Sequence, residues 1–336
     1  MNTLTDAQIS QTADAIIDWQ LPNGMIPWFP GGHADPWNHI EAAMAIATAG
    51  RTDEAERAYD WLVGLQHEHG GWHQYYLEDE VEQDKFDANV IAYIAAGVWH
   101  HYLITRDRGF LETMFPVVDK ALGFVFDLQQ ERGEILWARH ADGTPWSFAL
   151  LTGSSSMYHS TRAGLTIARE LGVDREDWVD RIERLGSVVR ERPEGAFAPK
   201  NRWAMDWYYP VLAGAITGSR GLDHLNARYD TFVMEGLGVR CVGDRPWVTT
   251  GETSECVMAY LAVGDRDTAE RLFETTFALR CDDGHYWTGE VHPEREHFPG
   301  GERSTYSSAA VLLADDALAH RTPAAELFTE HAALAS

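Results

Sequence analysis

The feature that most constrains this chain is a couple of helices that recurs along its length. Each couple opens with an apolar run and continues, after a short break, with a charged amphipathic one. In the first, Ala42-Ala43-Met44-Ala45-Ile46-Ala47 lies in a helix expected over 37–49, and Asp53-Glu54-Ala55-Glu56-Arg57-Ala58-Tyr59-Asp60-Trp61-Leu62 in one over 52–67. A helix apolar all round belongs inside a fold, and one with a single apolar face belongs on its outside. The couple repeats at 86–104 with 110–130, 155–171 with 175–190, 206–217 with 222–234, 252–263 with 268–279 and 303–319 with 323–334. Inner helices start roughly 50 residues apart, with one longer interval before Ser155, at the upper end of periods that mark helical repeats. Paired helices build either an open superhelix or a closed ring, and no polar capping repeat points to the open form. The expected fold is therefore all-α: an (α/α)6 toroid of six inner and six outer helices. An extra N-terminal helix over 5–19 precedes it, and long face loops or short hairpins fall at 131–150 and 280–300. No Gly/Ser-rich or Pro-rich linker interrupts the series, so residues 1–336 read as one domain.

In such a ring the inner helices run the same way, and their N-termini converge on one mouth. The loops that enter them are distinctive. Gly31-Gly32-His33-Ala34-Asp35-Pro36-Trp37-Asn38-His39-Ile40-Glu41 leads into the first, with Pro at the start of the helix and an acid before it, the pattern of a helix start. The others are Lys85-Phe86-Asp87-Ala88-Asn89, Gly153-Ser154-Ser155-Ser156-Met157-Tyr158-His159, Trp203-Ala204-Met205-Asp206-Trp207-Tyr208-Tyr209, Thr249-Thr250-Gly251-Glu252-Thr253-Ser254-Glu255 and Gly300-Gly301-Glu302-Arg303-Ser304-Thr305-Tyr306. Each acid alone is explained by capping, worth a few tenths to about 1 kcal/mol. Capping does not explain the neighbouring Trp37, His39, Trp207 and Tyr208. Nor does it explain Glu41 and Glu255, a turn inside apolar helices, where a carboxylate is costly without partners or a function.

Composition narrows the ligand. A formal charge of −25 opposes nucleic acid and anionic membranes, whose attraction depends on Lys and Arg. Aromatic residues make up 11% of the chain, many beside Gly, Pro and Asp in loops, and aromatic faces lining a concave surface stack on sugar rings or on isoprenoid chains. Three cysteines without paired spacing read as reduced thiols, and no basic-then-apolar N-terminal segment is present, so the expected compartment is the cytoplasm. No cofactor or metal is expected: His67, His69 and His73 lack helical zinc spacing, and Thr152-Gly153-Ser154-Ser155-Ser156 lacks the Lys of a phosphate loop. A homodimer is left open.

An acidic cup walled by aromatic rings is the equipment of glycoside hydrolysis, which needs one carboxyl as acid and another as base or nucleophile. Inverting enzymes hold the two roughly 6.5–9.5 Å apart to admit a water, and a wide toroid mouth suits that spacing. Inversion is expected.

The chain resembles (α/α)6 glycoside hydrolases of the glucoamylase and trehalase type, through Phe86-Asp87-Ala88-Asn89, Tyr286-Trp287-Thr288-Gly289 and Glu302-Arg303-Ser304-Thr305-Tyr306-Ser307-Ser308. The segments Asp35–Glu41 and Gly251–Glu255 are more closely similar to actinobacterial, especially mycobacterial, hydrolases of methylmannose polysaccharides. That resemblance implies endo-cleavage of an α-1,4-linked, partly O-methylated mannan. It also implies Glu252 as general acid and Asp35 as base, with Glu255, Asp206 and Asp87 as hydroxyl ligands or substitute catalysts. Trp37, Asn38, His39, Glu41, Tyr158, His159, Trp207, Tyr208, Trp287 and Glu302 complete the expected substrate-binding set. A rival reading comes from Gln66-His67-Glu68-His69-Gly70-Gly71-Trp72, which resembles the repeat of prenyltransferase and terpene-cyclase toroids but lacks their zinc or Asp-rich sites. A non-catalytic carbohydrate-binding toroid is the third.

Overall fold

A computed structural model describes residues 3–78 and 80–334. In chain order its helices are α1 (Asp6–Asp18), α2 (Pro36–Thr48), α3 (Thr52–Leu65), α4 (Ala88–Ala92), α5 (Ile94–Thr105), α6 (Arg108–Phe126), α7 (Leu151–Leu171), α8 (Glu176–Glu191), α9 (Met205–Leu212), α10 (Gly218–Asn226), α11 (Tyr229–Phe232), α12 (Thr250–Ala262), α13 (Arg266–Thr276) and α14 (Thr305–Ala319). Helices α2, α5, α7, α9, α12 and α14 pack side by side in that order, and α14 returns to α2. The ring is closed, as the repeat predicts. Where ring neighbours need to come close, a side chain is missing: a Cβ on Gly97 of α5 would lie 2.3 Å from Ile40 of α2.

The outer ring differs from expectation in one place. Helices α3, α6, α8, α10 and α13 cover their inner partners, but residues 323–334 form turns and a single 3-10 turn at His331–Ala333. The sixth outer position belongs to α1, which packs against both α14 and α2. With that groove filled, the C-terminal segment lies against the inside of the ring. The His159 ring stacks on Phe328 at 4.8 Å, and Arg162 donates to the carbonyls of His331 (2.5 Å) and Leu334 (2.9 Å).

A recurring turn stitches the outer helices together. Gln20, Gln66 and Gln129 each donate to the carbonyl of a glycine four residues on, Gly24, Gly70 and Gly133, at 3.0–3.1 Å. The same amides reach the next outer helix, at Glu54 O (3.0 Å), Val117 O (2.9 Å) and Arg181 O (2.8 Å). Each glycine has positive φ and leaves no room for a Cβ against that neighbouring backbone. Arg280 and Gly284 repeat the arrangement with α1, through Gln11. The run Gln66–Trp72 that resembles a prenyltransferase repeat is thus a structural tie, and the Trp72 indole is buried on the carbonyl of Leu62.

Among the described residues nine short strands decorate the faces: β1 (Tyr75–Leu77), β2 (Glu80–Gln83), β3 (Phe86–Asp87), β4 (Ala138–Arg139), β5 (Val233–Met234), β6 (Gly238–Val239), β7 (Trp247–Thr249), β8 (Trp287–Val291) and β9 (Glu296–Arg303). They pair antiparallel as β1-β2, β3-β4, β5-β6 and β7-β8-β9. The expected hairpins at 131–150 and 280–300 correspond to β4 and to β8-β9; the β1-β2 hairpin has no counterpart in the sequence expectation.

Candidate active site

The inner-helix N-termini meet around one rim. Thr305, opening α14, donates to the carbonyl of Pro27, just before the Asp35 loop (2.8 Å). Thr152 of α7 donates to Asp206 of α9 (2.6 Å), and a Cβ on Gly153 would lie 3.6 Å from Asn89 of α4. Gly251 of α12 lies so close to Tyr306 of α14 that a Cβ would be 2.5 Å from its ring. Burying one helix start against the next is possible because these loops carry their own hydrogen-bond partners.

Asp35 is the N-cap of α2 and is 3% exposed. Its Oδ1 accepts from the Asn38 amide (2.9 Å); its Oδ2 accepts from Trp28 Nε1 (2.8 Å) and Asn38 Nδ2 (2.5 Å). Burial pushes its pKa up, and these three N–H donors, which favour the charged form, oppose the rise. Glu252, in the first turn of α12, is partly exposed to the mouth, and its pKa is also raised by enclosure. Tyr306 packs between the helix starts that carry them. Its ring abuts Gly251 and meets Trp37 edge-on at 5.6 Å, so it is wedged between the first turns of α2 and α12.

Below the rim lies a buried carboxyl–phenol network. Tyr93 donates to Glu41, while Tyr208 and Tyr209 (2.6 Å) donate to Glu255. Burial raises Glu41 to about 7 and Glu255 to about 8, the latter helped by the charge of Glu41. Trp37 stacks on Tyr93 at 4.6 Å and roofs this layer. Narrow space beneath it is lined by Glu41, Tyr93, His159, Tyr209, Glu255 and Phe328.

Other expected residues separate into two groups. Asp87 caps α4, accepting from the Asn89 (3.0 Å) and Val90 amides, with Lys85 and the Trp137 indole beside it. Burial lifts it to about 6. Asp206 lies at the same rim, as does Trp287, which stacks on His297 at 4.1 Å; Glu302 accepts from Thr288 (2.9 Å). His39, Tyr158 and Trp207 point away from the mouth, and His159 reaches only the space beneath the buried network. The His39 ring is fixed between Ile26 N and Ala58 O and is lowered by burial to about 4. The Trp207 indole donates to Leu225 O between α9 and α10 (3.0 Å). Helix α7 starts at Leu151, a turn earlier than expected, which carries Tyr158 and His159 two turns below the rim. Tyr158 there meets Gly186 of α8, and His159 meets the C-terminal segment. Asn38 is at the rim but is spent on Asp35.

Sequence reasoning missed Trp28, Tyr75, Tyr93 and Trp137. Tyr93 was detectable in principle: it lies six residues after Asp87, as Glu41 does after Asp35. Among the described residues no group of three or more His, Cys, Asp or Glu has the geometry to hold a metal ion. His67, His69 and His73 gather around the Phe86 ring, with centroids 4.5–5.1 Å from it.

The chain is 48% identical over 325 residues to the MMP endo-(1,4)-3-O-methyl-α-D-mannosidase of Mycolicibacterium hassiacum, covering 97% of this chain and 90% of that one. The chain belongs to that mannosidase family. No protein-family model matches it. Family membership makes it a glycoside hydrolase. Among solved structures it is similar to a glycosidase (TM-score 0.70, 15% identity, 93% of this chain and 96% of that one) and to the GH63 mannosylglycerate hydrolase of Thermus thermophilus (TM-score 0.69, 13%, 90% and 99%). A D-mannose isomerase shares the architecture (TM-score 0.66, 12%, 92% and 96%). At such identities the likeness is one of fold, and the ring of this mannosidase family is one that hosts more than one sugar chemistry.

Proposed function

We propose that this chain, as one catalytic unit, hydrolyses internal α-1,4 bonds of a partly 3-O-methylated mannan with inversion. The substrate follows from the relative that shares nearly half of its residues over almost its whole length. The observation that carries the mechanism is Tyr306, wedged between the helix starts that bear Asp35 and Glu252. Carboxyls carried on two helix starts with a ring packed between those starts suit the wider spacing of inverting enzymes, roughly 6.5–9.5 Å, which admits a water. Glu252, which accepts fewer hydrogen bonds than Asp35, is assigned as the acid that gives its proton to the glycosidic oxygen as the bond to the anomeric carbon breaks. Asp35, whose three N–H donors favour the charged form, takes a proton from the water that attacks the opposite face. The rings of Trp37 and Tyr306 offer apolar faces to a methylated sugar. Free Cys241, Cys256 and Cys281 suit a reducing cytoplasm.

The test is Glu252→Gln and Asp35→Asn assayed on methylmannose polysaccharide, with the first-formed anomer followed by NMR. Each variant is expected to lose 10²–10⁴-fold in kcat while keeping the far-UV circular dichroism of the parent, and the parent is expected to release the β-anomer first. An initial α-anomer would refute inversion, and full activity in either variant would remove that residue from the pair.

A further inference from the structure

The hairpin between α6 and α7 holds aromatic side chains that the catalytic pair does not use. Trp137 and Trp146 meet edge to face at 4.7 Å, Phe148 lies 5.5 and 5.7 Å from them, and His140 stacks on Trp146 at 5.2 Å. The ammonium of Lys85 stands over Trp137 at 4.0 Å and Trp146 at 5.3 Å. All three large rings remain partly exposed, although nothing but apolar surface is gained by leaving them so.

Their position is set by the sheet. β4 pairs with β3 so that Asp87 faces Ala138, and the Trp137 indole reaches the Asp87 carboxyl. Tyr75 stacks on His33 at 4.2 Å, and the charges of Asp35 and Asp87 both raise its phenol pKa, with burial the larger cause. Partly exposed Tyr75 and Trp137 therefore both neighbour Asp87, Tyr75 on the Asp35 side, and Trp146 packs on Trp137.

We propose that these rings form a binding strip for successive pyranose units of the polysaccharide, remote from the bond that is cut and selective for sugars with an apolar, O-methylated face. Pyranose C–H faces stack on indole and phenol rings, and each methyl ether adds apolar surface to bury. Lys85, fixed by the cation–π contacts, offers N–H donors to ring or ether oxygens without demanding an anion. An enzyme cutting within a chain needs such holds away from the scissile bond, since remote binding energy positions the reacting centre. The proposal rests on the methylated-mannan reading above.

Trp146→Ala is the test, because Trp137 touches Asp87. The ratio of kcat/KM on methylated polymer to that on a di- or trisaccharide of the same linkage is expected to fall at least fivefold, with Trp146→Phe restoring most of it. Equal losses on both substrates, or no loss on polymer, would overturn the strip. If the parent cleaves neither substrate, the substrate reading fails instead. Calorimetric titration of the same polymer into parent and Trp146→Ala then judges the strip by itself, a weaker affinity in the variant supporting it and equal affinities refuting it.

Discussion

Asp35 and Glu252 are the same functional group in different surroundings, and the difference can be moved by one substitution. Asn38 supplies a side-chain donor to Asp35 Oδ2 as well as its backbone amide to Oδ1. Removing the side-chain donor with Asn38→Ala takes stabilisation from the ionised form only, so the Asp35 pKa must rise further. If Asp35 is the base, the acidic limb of the kcat/KM profile moves to higher pH by on the order of one unit, while the alkaline limb set by Glu252 stays in place. A pH–rate profile of the variant checks this, and an unmoved acidic limb would show that another group is the base. At this scale the sequence was informative where an acid directly precedes a helix, as at Asp35 and Asp87. It misled at Tyr158 and His159. Gly153-Ser154-Ser155-Ser156 has the composition of a turn, but in the structure those residues are small because α7 is already helical there and all four are buried.

The elements show why the repeat was legible and its last member was not. Hydrophobic periodicity marks inner and outer helices well, and it placed most of them correctly. It cannot say which helix fills a groove when two candidates exist, and here α1 took the sixth outer place and displaced 323–334 from it. The stitching turns contain that information: Gln20-Leu21-Pro22-Asn23-Gly24 opens the series at the end of α1, the same pattern that ends α3 and α6. Gly70 tests the stitch. Its φ is +94°, and a Cβ would lie 2.0 Å from the carbonyl oxygen of Lys120 on α6. Backbone cannot yield as a side chain tip would, so Gly70→Ala is expected to cost about 2–4 kcal/mol through strain and loss of the α3–α6 tie. Urea denaturation measures it. A loss below about 1 kcal/mol would mean that the turn relaxes and the stitch is dispensable.

For the molecule as a whole, closure of the ring buries titratable groups of both kinds, and their opposed demands set where it is most stable. Burial lowers His39, His159 and His285 to about 4 and His100 and His331 to about 3, against about 6.5 in an unfolded chain. Between those values the unfolded state holds the extra protons, so these histidines make stability fall as the pH drops below 6.5. Glu41, Glu255 and Asp87 act in reverse. Their folded values of about 7, 8 and 6 exceed the unfolded ones, so the folded state holds the extra protons and stability falls as pH rises through them. Each unmatched proton is worth about 1.4 kcal/mol per pH unit. Between about pH 4.5 and 6.5 these five histidines outweigh these three carboxyls and their joint contribution climbs; above 6.5, of these eight groups, Glu41 and Glu255 still titrate and it declines toward pH 8. The thermal midpoint is therefore expected to peak between about pH 6 and 7, with Glu255→Gln flattening the alkaline side. Scanning calorimetry from pH 4.5 to 8.5 checks this, because a midpoint still rising at pH 8 would require both buried glutamates to be ionised in the folded ring.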